Sequence, residues 1–424
     1  MRLADLEVRE VVAWEALDSR GNPTVACRVV LAGGATGRAI VPAGASTGQF
    51  EAVELRDGGE RHDGMGVRRA VRTVVTALRP RVVGLDASDT GAIDAALASA
   101  SPLEGMALTG SNATLAVSVA TAVAAAAATR QPLWRLVGGT ARPLLPLPMI
   151  QVLSGGIHAG RVIDLQDILV IPTGAATFAE AIDLVSRVRR VAIALAADRG
   201  AVAHLVGDEG GLALPFASNR AAVEFVARAI SRAGLDGRVW IAMDVAANQL
   251  RLPNGQYRLA TESRTLEALE WVAELATWVR ELPILSIEDP LGDDDWDVWR
   301  PASSALGTVQ LVGDDLFATD ATRLARGVRE GIANAVLIKP NQRGTLSEAA
   351  MVLRNAQAAG YKTIASARSG ETEDAWLADL AVGWQAGQIK VGSLTRSERT
   401  AKWNRLLEIE ATEPAAVLAR PFTS

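Results

Sequence analysis

A chain of 424 residues exceeds the usual single-domain size, so its length allows one large barrel with an attached smaller domain, or two or three separate domains. Hydrophobic residues make up 49% and charged residues 21%, ordinary globular usage, and a formal net charge of −5 offers no general attraction for nucleic acid or anionic lipid, so any phosphate binding has to be local. The basic residues are lopsided: of 43, only Lys339, Lys362, Lys390 and Lys402 are lysine. Arginine cannot act as a base, so chemistry in which a cation must lose its proton falls on those four. With only His62, His158 and His204, histidine-rich metal sites and multi-histidine relays are nearly excluded.

The first ten residues, MRLADLEVRE, are charged and show no apolar run with a small-residue cleavage site, so no secretory signal is visible and the cytoplasm is the expected location. Alternation in VVAWEALDS and TVACRVVLAGG, joined by the turn SRGNP, predicts a meander of strands, and helical periodicity from Val67 onward makes the small domain α+β. The single cysteine, Cys27, cannot form an intrachain disulfide and reads as a buried strand thiol. The alanine-rich stretch 116–129 is too short to span a bilayer and carries Ser118 and Thr121, so it is expected to be a buried helix. Glycine and proline concentrate in GGTARPLLPLP at 138–148, read as the linker between an N-terminal capping domain, 1–138, and a C-terminal domain, 139–424.

Beyond the linker, short apolar runs alternate with longer amphipathic segments, the rhythm of a β/α barrel. The runs end at Asp244, Glu288, Asp314, Lys339, Ser366 and Lys390, the last five about 25 residues apart, enough for one strand, one helix and their loops each. C-terminal strand ends share one mouth in such barrels, so three carboxylates are expected to face two lysines there. Oxygen donors without cysteine or histidine suit a hard cation, magnesium first and manganese second. Removing a proton α to a carboxylate adds charge to a group already anionic, so cations must surround it before a weak base can succeed. A lysine beside divalent cations and a second lysine is expected to be partly neutral and basic.

From about Val8 to Glu410 the chain resembles the enolases. The resemblance is carried by LDSRGNPT at 17–24, VPAGASTG at 41–48, EAVELRDG at 51–58, GGIHA at 155–159, GDEGG at 207–211, SIEDPL at 286–291, VGDDLF at 312–317, IKPNQRGT at 338–345, SARSGETED at 366–374 and GQIKVGS at 387–393. It implies an enolase-type barrel behind a smaller α+β domain, and a reference reaction that converts 2-phosphoglycerate to phosphoenolpyruvate and water. Asp244, Glu288 and Asp314 would hold one magnesium ion, and Ser46 would ligate a second together with a phosphate oxygen. Lys339 would be the general base, Lys390 would grip the substrate carboxylate, and Glu209 would assist hydroxyl departure beside Asp167. Arg368 and Ser369, next to Ser366, would hold the phosphate while His158 closes over the site. A homodimer is implied as well.

Four positions depart from the enolase pattern: Ala367 replaces a histidine, Ala43 a serine, Asp167 a glutamate and Gln249 a glutamate. Ala367 and Ala43 fall on segments expected around the phosphoryl group, which would make that end of the pocket larger and less cationic. Two readings of these alanines stand open: neutral drift with water replacing the lost groups, or a second enzyme reading, dehydration of a phosphonylated analogue, as in the enolase-like carboxyphosphonoenolpyruvate synthases. A non-catalytic binding protein on an enolase scaffold is disfavoured, because buried carboxylates and lysines are costly to keep without ligands.

Overall fold

The computed structural model describes residues 3–45, 48–101, 106–139 and 142–422. Strands Val8–Leu17, Pro23–Leu31 and Thr36–Ile40 form an antiparallel meander in that order. Its first turn closes on Asp18, whose N–H donates to the Asn22 carbonyl at 2.9 Å and whose carboxylate accepts the N–H groups of Arg20 and Asn22. Gly21 supplies the positive φ of 77° that this reversal needs. Cys27 is fully buried in the second strand, and burial pushes its thiol up to about 12, which removes it as a nucleophile.

The alanine-rich segment belongs to a helix, Ser111–Thr129, whose 19 residues are long and apolar enough to cross a membrane by length and composition. It extends beyond the stretch read from sequence, and it is buried against the second and third strands of the meander. Its docking depends on a missing side chain: a Cβ on Gly37 would lie 2.2 Å from both the Ala120 carbonyl oxygen and the Ala124 nitrogen.

Eight further strands close into a barrel: Leu147–Ser154, Asp167–Ile171, Trp240–Asp244, Ile284–Glu288, Gln310–Gly313, Ala335–Ile338, Lys362–Ser366 and Gln388–Gly392. The eighth pairs with the first. The later part of the glycine- and proline-rich segment is already strand, since the first barrel strand begins at Leu147 and Leu144–Leu145 pairs with Val417–Leu418. Just before it, helix Leu133–Gly138 crosses helix Trp376–Gly383 so closely that a Cβ at Gly138 would sit 2.1 Å from the Gly383 carbonyl oxygen.

Seven barrel strands are parallel and the second is reversed, antiparallel to both neighbours. An antiparallel neighbour can be reached without a crossover helix. Residues 155–166 accordingly return directly across the mouth, and Asp167, the first residue of the reversed strand, pairs with Ser154 on one side and Asp244 on the other. Helices Phe178–Asp198 and Asn219–Arg232 then carry the chain up to the mouth and back, leaving the turn 207–211 beside the first strand, where Leu212 bridges Leu153. Lys390 is not a strand end as the sequence suggested. It lies within the eighth strand, which continues past a register shift to Gly392.

Gly37→Ala is expected to cost about 1–3 kcal/mol by overpacking against the buried helix, seen as a lower urea midpoint at unchanged slope. An unchanged midpoint would contradict this packing.

Candidate active site

One polar cavity at the barrel mouth gathers most of the residues singled out from sequence: His158, Asp167, Glu209, Asp244, Asp314, Lys339, Ser366, Ala367, Arg368, Ser369 and Lys390 all line it. Glu288 lies just behind its wall, 2.7 Å from the Lys390 ammonium. Ala43 is not among the lining residues. Its backbone exchanges two hydrogen bonds with Gly370, at 2.8 and 2.9 Å, so position 43 clasps the small domain to the barrel while Gly44 and Ala45 reach the cavity. Ser46 lies outside the described residues.

The centre is a lattice of buried opposite charges. Lys390 Nζ donates to Asp244 Oδ2 and Glu288 Oε2, both at 2.7 Å. Burial alone would raise Asp244, but Lys390 and then Lys339 outweigh it and its pKa is lowered. Glu288 moves the other way: burial and the charge of Asp244 hold it well above the usual carboxylate range. Lys339 is ion-paired with Asp314. Burial is the largest influence and works against its charge, but the carboxylates of Asp314 and then Glu288 together raise its pKa and favour the ammonium. The partly neutral lysine read from sequence depends on divalent cations beside it.

A second group forms where the reversed strand begins. His158, Asp167 and Glu209 present ligand atoms all within 4.8 Å of one another, and all three are buried. His158 Nδ1 stands 3.6 Å from Asp167 Oδ1, too long for a hydrogen bond but close enough for strong attraction. Burial disfavours its imidazolium, but Asp167 leads the charges that raise its pKa overall. Glu209 is raised by burial and then by Asp167, which favours a protonated carboxyl group. Its turn is permitted by glycine: a Cβ at Gly210 would lie 2.6 Å from the Thr395 carbonyl oxygen, and one at Gly211 2.6 Å from Gln151 Oε1.

At the far end, Arg368 is paired through two nitrogens with Glu51 of the small domain, at 2.8 and 3.2 Å, with side chains only 4% and 7% exposed. Ser369 Oγ accepts the Ala45 N–H at 2.6 Å. Ala367 lines the wall between Ser366 and Arg368, and its N–H donates to the Lys390 carbonyl.

Several residues here carried no sequence assignment. Gln249 donates to Gln166 at 2.6 Å, and Gln166 in turn donates to Asp244 Oδ2 at 2.9 Å, so a position noted only as a departure buttresses a central acid. Gln151 donates to Asp167. Asp289 accepts the N–H groups of Asp314 and Asp315 at 3.0 and 2.7 Å, and adopts a strained φ of 39°. Ala246, at φ 45°, lies two residues past the end of the third barrel strand, which also places strain around the mouth. The doublets in IED and GDD could have flagged Asp289 and Asp315, and EAVELRDG contained Glu51.

The chemistry of the acids fits a hard divalent cation. Glu288 Oε1 is buried with no hydrogen-bond partner among the described residues, and the donor set around it is all oxygen. Asp289, Asp314 and Asp315 also bring carboxylate oxygens within 4.8 Å of one another.

Glu51→Ala removes one partner of a buried pair and is expected to cost about 3–5 kcal/mol. Glu373→Ala, at the exposed pair with Arg38, should cost no more than about 1 kcal/mol. Chemical denaturation checks both, and equal losses would refute the ranking.

Residues 8–137 match the family model described as Enolase, N-terminal domain, and residues 142–418 match Enolase, C-terminal TIM barrel domain. A protein named Enolase from Acidothermus cellulolyticus is 47% identical over 407 residues, 95% of this chain and 94% of that protein. Matched in both halves and alike along nearly its whole length, the chain belongs to the enolase family and is an enolase-type hydro-lyase.

Proposed function

We propose that the protein is a magnesium-dependent enolase that converts 2-phosphoglycerate to phosphoenolpyruvate. The observation that carries this reading is the convergence of Lys339 and Lys390 on Asp244, Glu288 and Asp314, a cationic pair set among carboxylates where a substrate carboxylate would be bound. Asp244, Glu288 and Asp314 would hold the magnesium. Bound there, the ion would supply charge that offsets the second negative charge developing on the substrate carboxylate, and would compete with Lys339 for Asp314. Lys390 grips the carboxylate, and Lys339, in its neutral amine form, takes the α proton at Nζ, a task an arginine could not perform. Glu209, raised by burial, has a proton to give to the departing hydroxyl. His158 and Asp167 flank that proton transfer, and Arg368, Ser369 and Ser366 receive the phosphate.

One observation favours a second reading. Ala367 lines the cavity where enolases carry a histidine, and the smaller side chain leaves room for a substituent on phosphorus, as in a phosphonylated analogue. The buried backbone clasp at Ala43 makes that position a weak contributor to pocket size. The 47% identity to a protein named Enolase favours the ordinary substrate.

The reading carries with it a small water-borne substrate, a cytoplasmic location and the homodimer implied by resemblance. Purified protein with magnesium should dehydrate 2-phosphoglycerate, monitored by phosphoenolpyruvate absorbance. Lys339→Arg should fold yet lose at least about 10²- to 10⁴-fold in rate. An active arginine variant would remove Lys339 as the base, and turnover confined to a carboxyphosphono analogue would transfer the assignment to the second reading. In sedimentation of the same preparation, a lone 44.5 kDa species would contradict the dimer.

A further inference from the structure

We infer that Arg399, which does not itself line the cavity, is a positioning residue that fixes the phosphate-binding segment and the lysine-bearing eighth strand in one geometry. The inference rests on the phosphate reading just given. Arg399 lies in the first turn of helix Ser397–Thr412 and is fully buried. A cation at a helix N-terminus is opposed by the helix dipole, and burying it costs solvation, so its presence there requires compensation. Three main-chain carbonyls supply it: one terminal nitrogen donates to Arg368 at 2.6 Å and to Val391 at 3.0 Å, and the other donates to Ser369. Glu398 stands 3.5 Å from its Nε.

The carbonyls it holds belong to cavity residues. Arg368 and Ser369 present their side chains to the phosphate end, and Val391 follows Lys390 directly and also lines the cavity. One guanidinium thus bridges the loop after the seventh strand to the eighth strand, beside the direct hydrogen bond from the Ala367 N–H to the Lys390 carbonyl. One turn along the helix, buried Lys402 continues the same fastening, donating to the Glu371 carboxylate at 2.6 Å and the Thr372 carbonyl at 2.7 Å. Residues 368–372 are therefore held from behind by two cations of one helix, while Glu51 and Ala45 hold Arg368 and Ser369 from the small domain. The planar fork reaches these three carbonyls from two separate nitrogens, whereas an ammonium would have to reach them from one, so lysine is not an equivalent replacement at 399.

The test compares Arg399→Lys and Arg399→Gln with the full-length wild type in saturating magnesium. The expected result is that KM for 2-phosphoglycerate and the inhibition constant of inorganic phosphate rise together, by about tenfold or more for lysine, because the phosphate contacts lose their alignment. Magnesium affinity, read from melting temperature against concentration, should stay within about twofold, because the metal acids stand on the third, fourth and fifth strands. A lower melting temperature with KM and the phosphate constant unchanged would overturn the inference, as would parallel loss of magnesium affinity. If neither variant folds by circular dichroism, Arg399 is a folding residue and the inference fails. If the wild type neither turns over 2-phosphoglycerate nor is protected by phosphate, it is the phosphate reading that fails.

Discussion

The arrangement at the barrel mouth depends on one interaction, the Lys390 ammonium shared between the buried carboxylates of Asp244 and Glu288. Neither acid could remain ionised there alone, because taking a carboxylate out of water costs several kcal/mol, roughly, unless a partner offsets it. One ammonium cannot satisfy both, and the two acids are driven apart: Asp244 is lowered while Glu288 is raised and keeps one oxygen without a partner. Lys339 and Asp314 repeat the pairing one strand further on. A core built for stability alone would be better served by apolar side chains at these positions. The surplus of negative charge is what a divalent cation would answer, and a cation placed there would also lie beside the Lys390 ammonium proposed to receive the substrate carboxylate.

The fold's irregular features serve this cluster. Reversal of the second strand brings Asp167 to the mouth at the start of its strand, and the return from the first strand brings His158 beside it. The strained backbone of Asp289 turns its carboxylate onto the N–H groups of Asp314 and Asp315, fixing the turn that carries them. The small domain completes the opposite side, because Glu51 braces Arg368 and the Ala43–Gly370 clasp carries Gly44 and Ala45 to the rim. The acids and lysines at the mouth are thereby held at or beside strand ends, while His158 and Glu209 enter on the connecting segments.

Much of this was legible in the sequence. Apolar runs ending on acids and lysines at regular intervals located five of the barrel strands from Glu288 onward, because a strand–helix repeat imposes its own spacing. Reversal of the second strand was not legible, since the run ILVI after Asp167 reads the same in either direction. Gln151, Gln166 and Gln249 went unassigned because an uncharged amide matters only through what it touches, and those contacts join distant segments. Ala367 and Ala43 looked equivalent as lost side chains near the phosphate. The structure separates them, placing Ala367 on the cavity wall and Ala43 in a backbone clasp.

The central claim, that the acids around Lys390 form a cation site, is tested most directly by melting the protein across a magnesium titration, for the wild type and for Glu288→Gln. The wild type should gain stability in a saturable manner, about 2.7 kcal/mol at one hundred times the dissociation constant. Glu288→Gln, relieved of a buried carboxylate, should melt at least as high as the wild type in chelator and gain far less from magnesium. No magnesium response in the wild type, or an equal response in Glu288→Gln, would contradict the account.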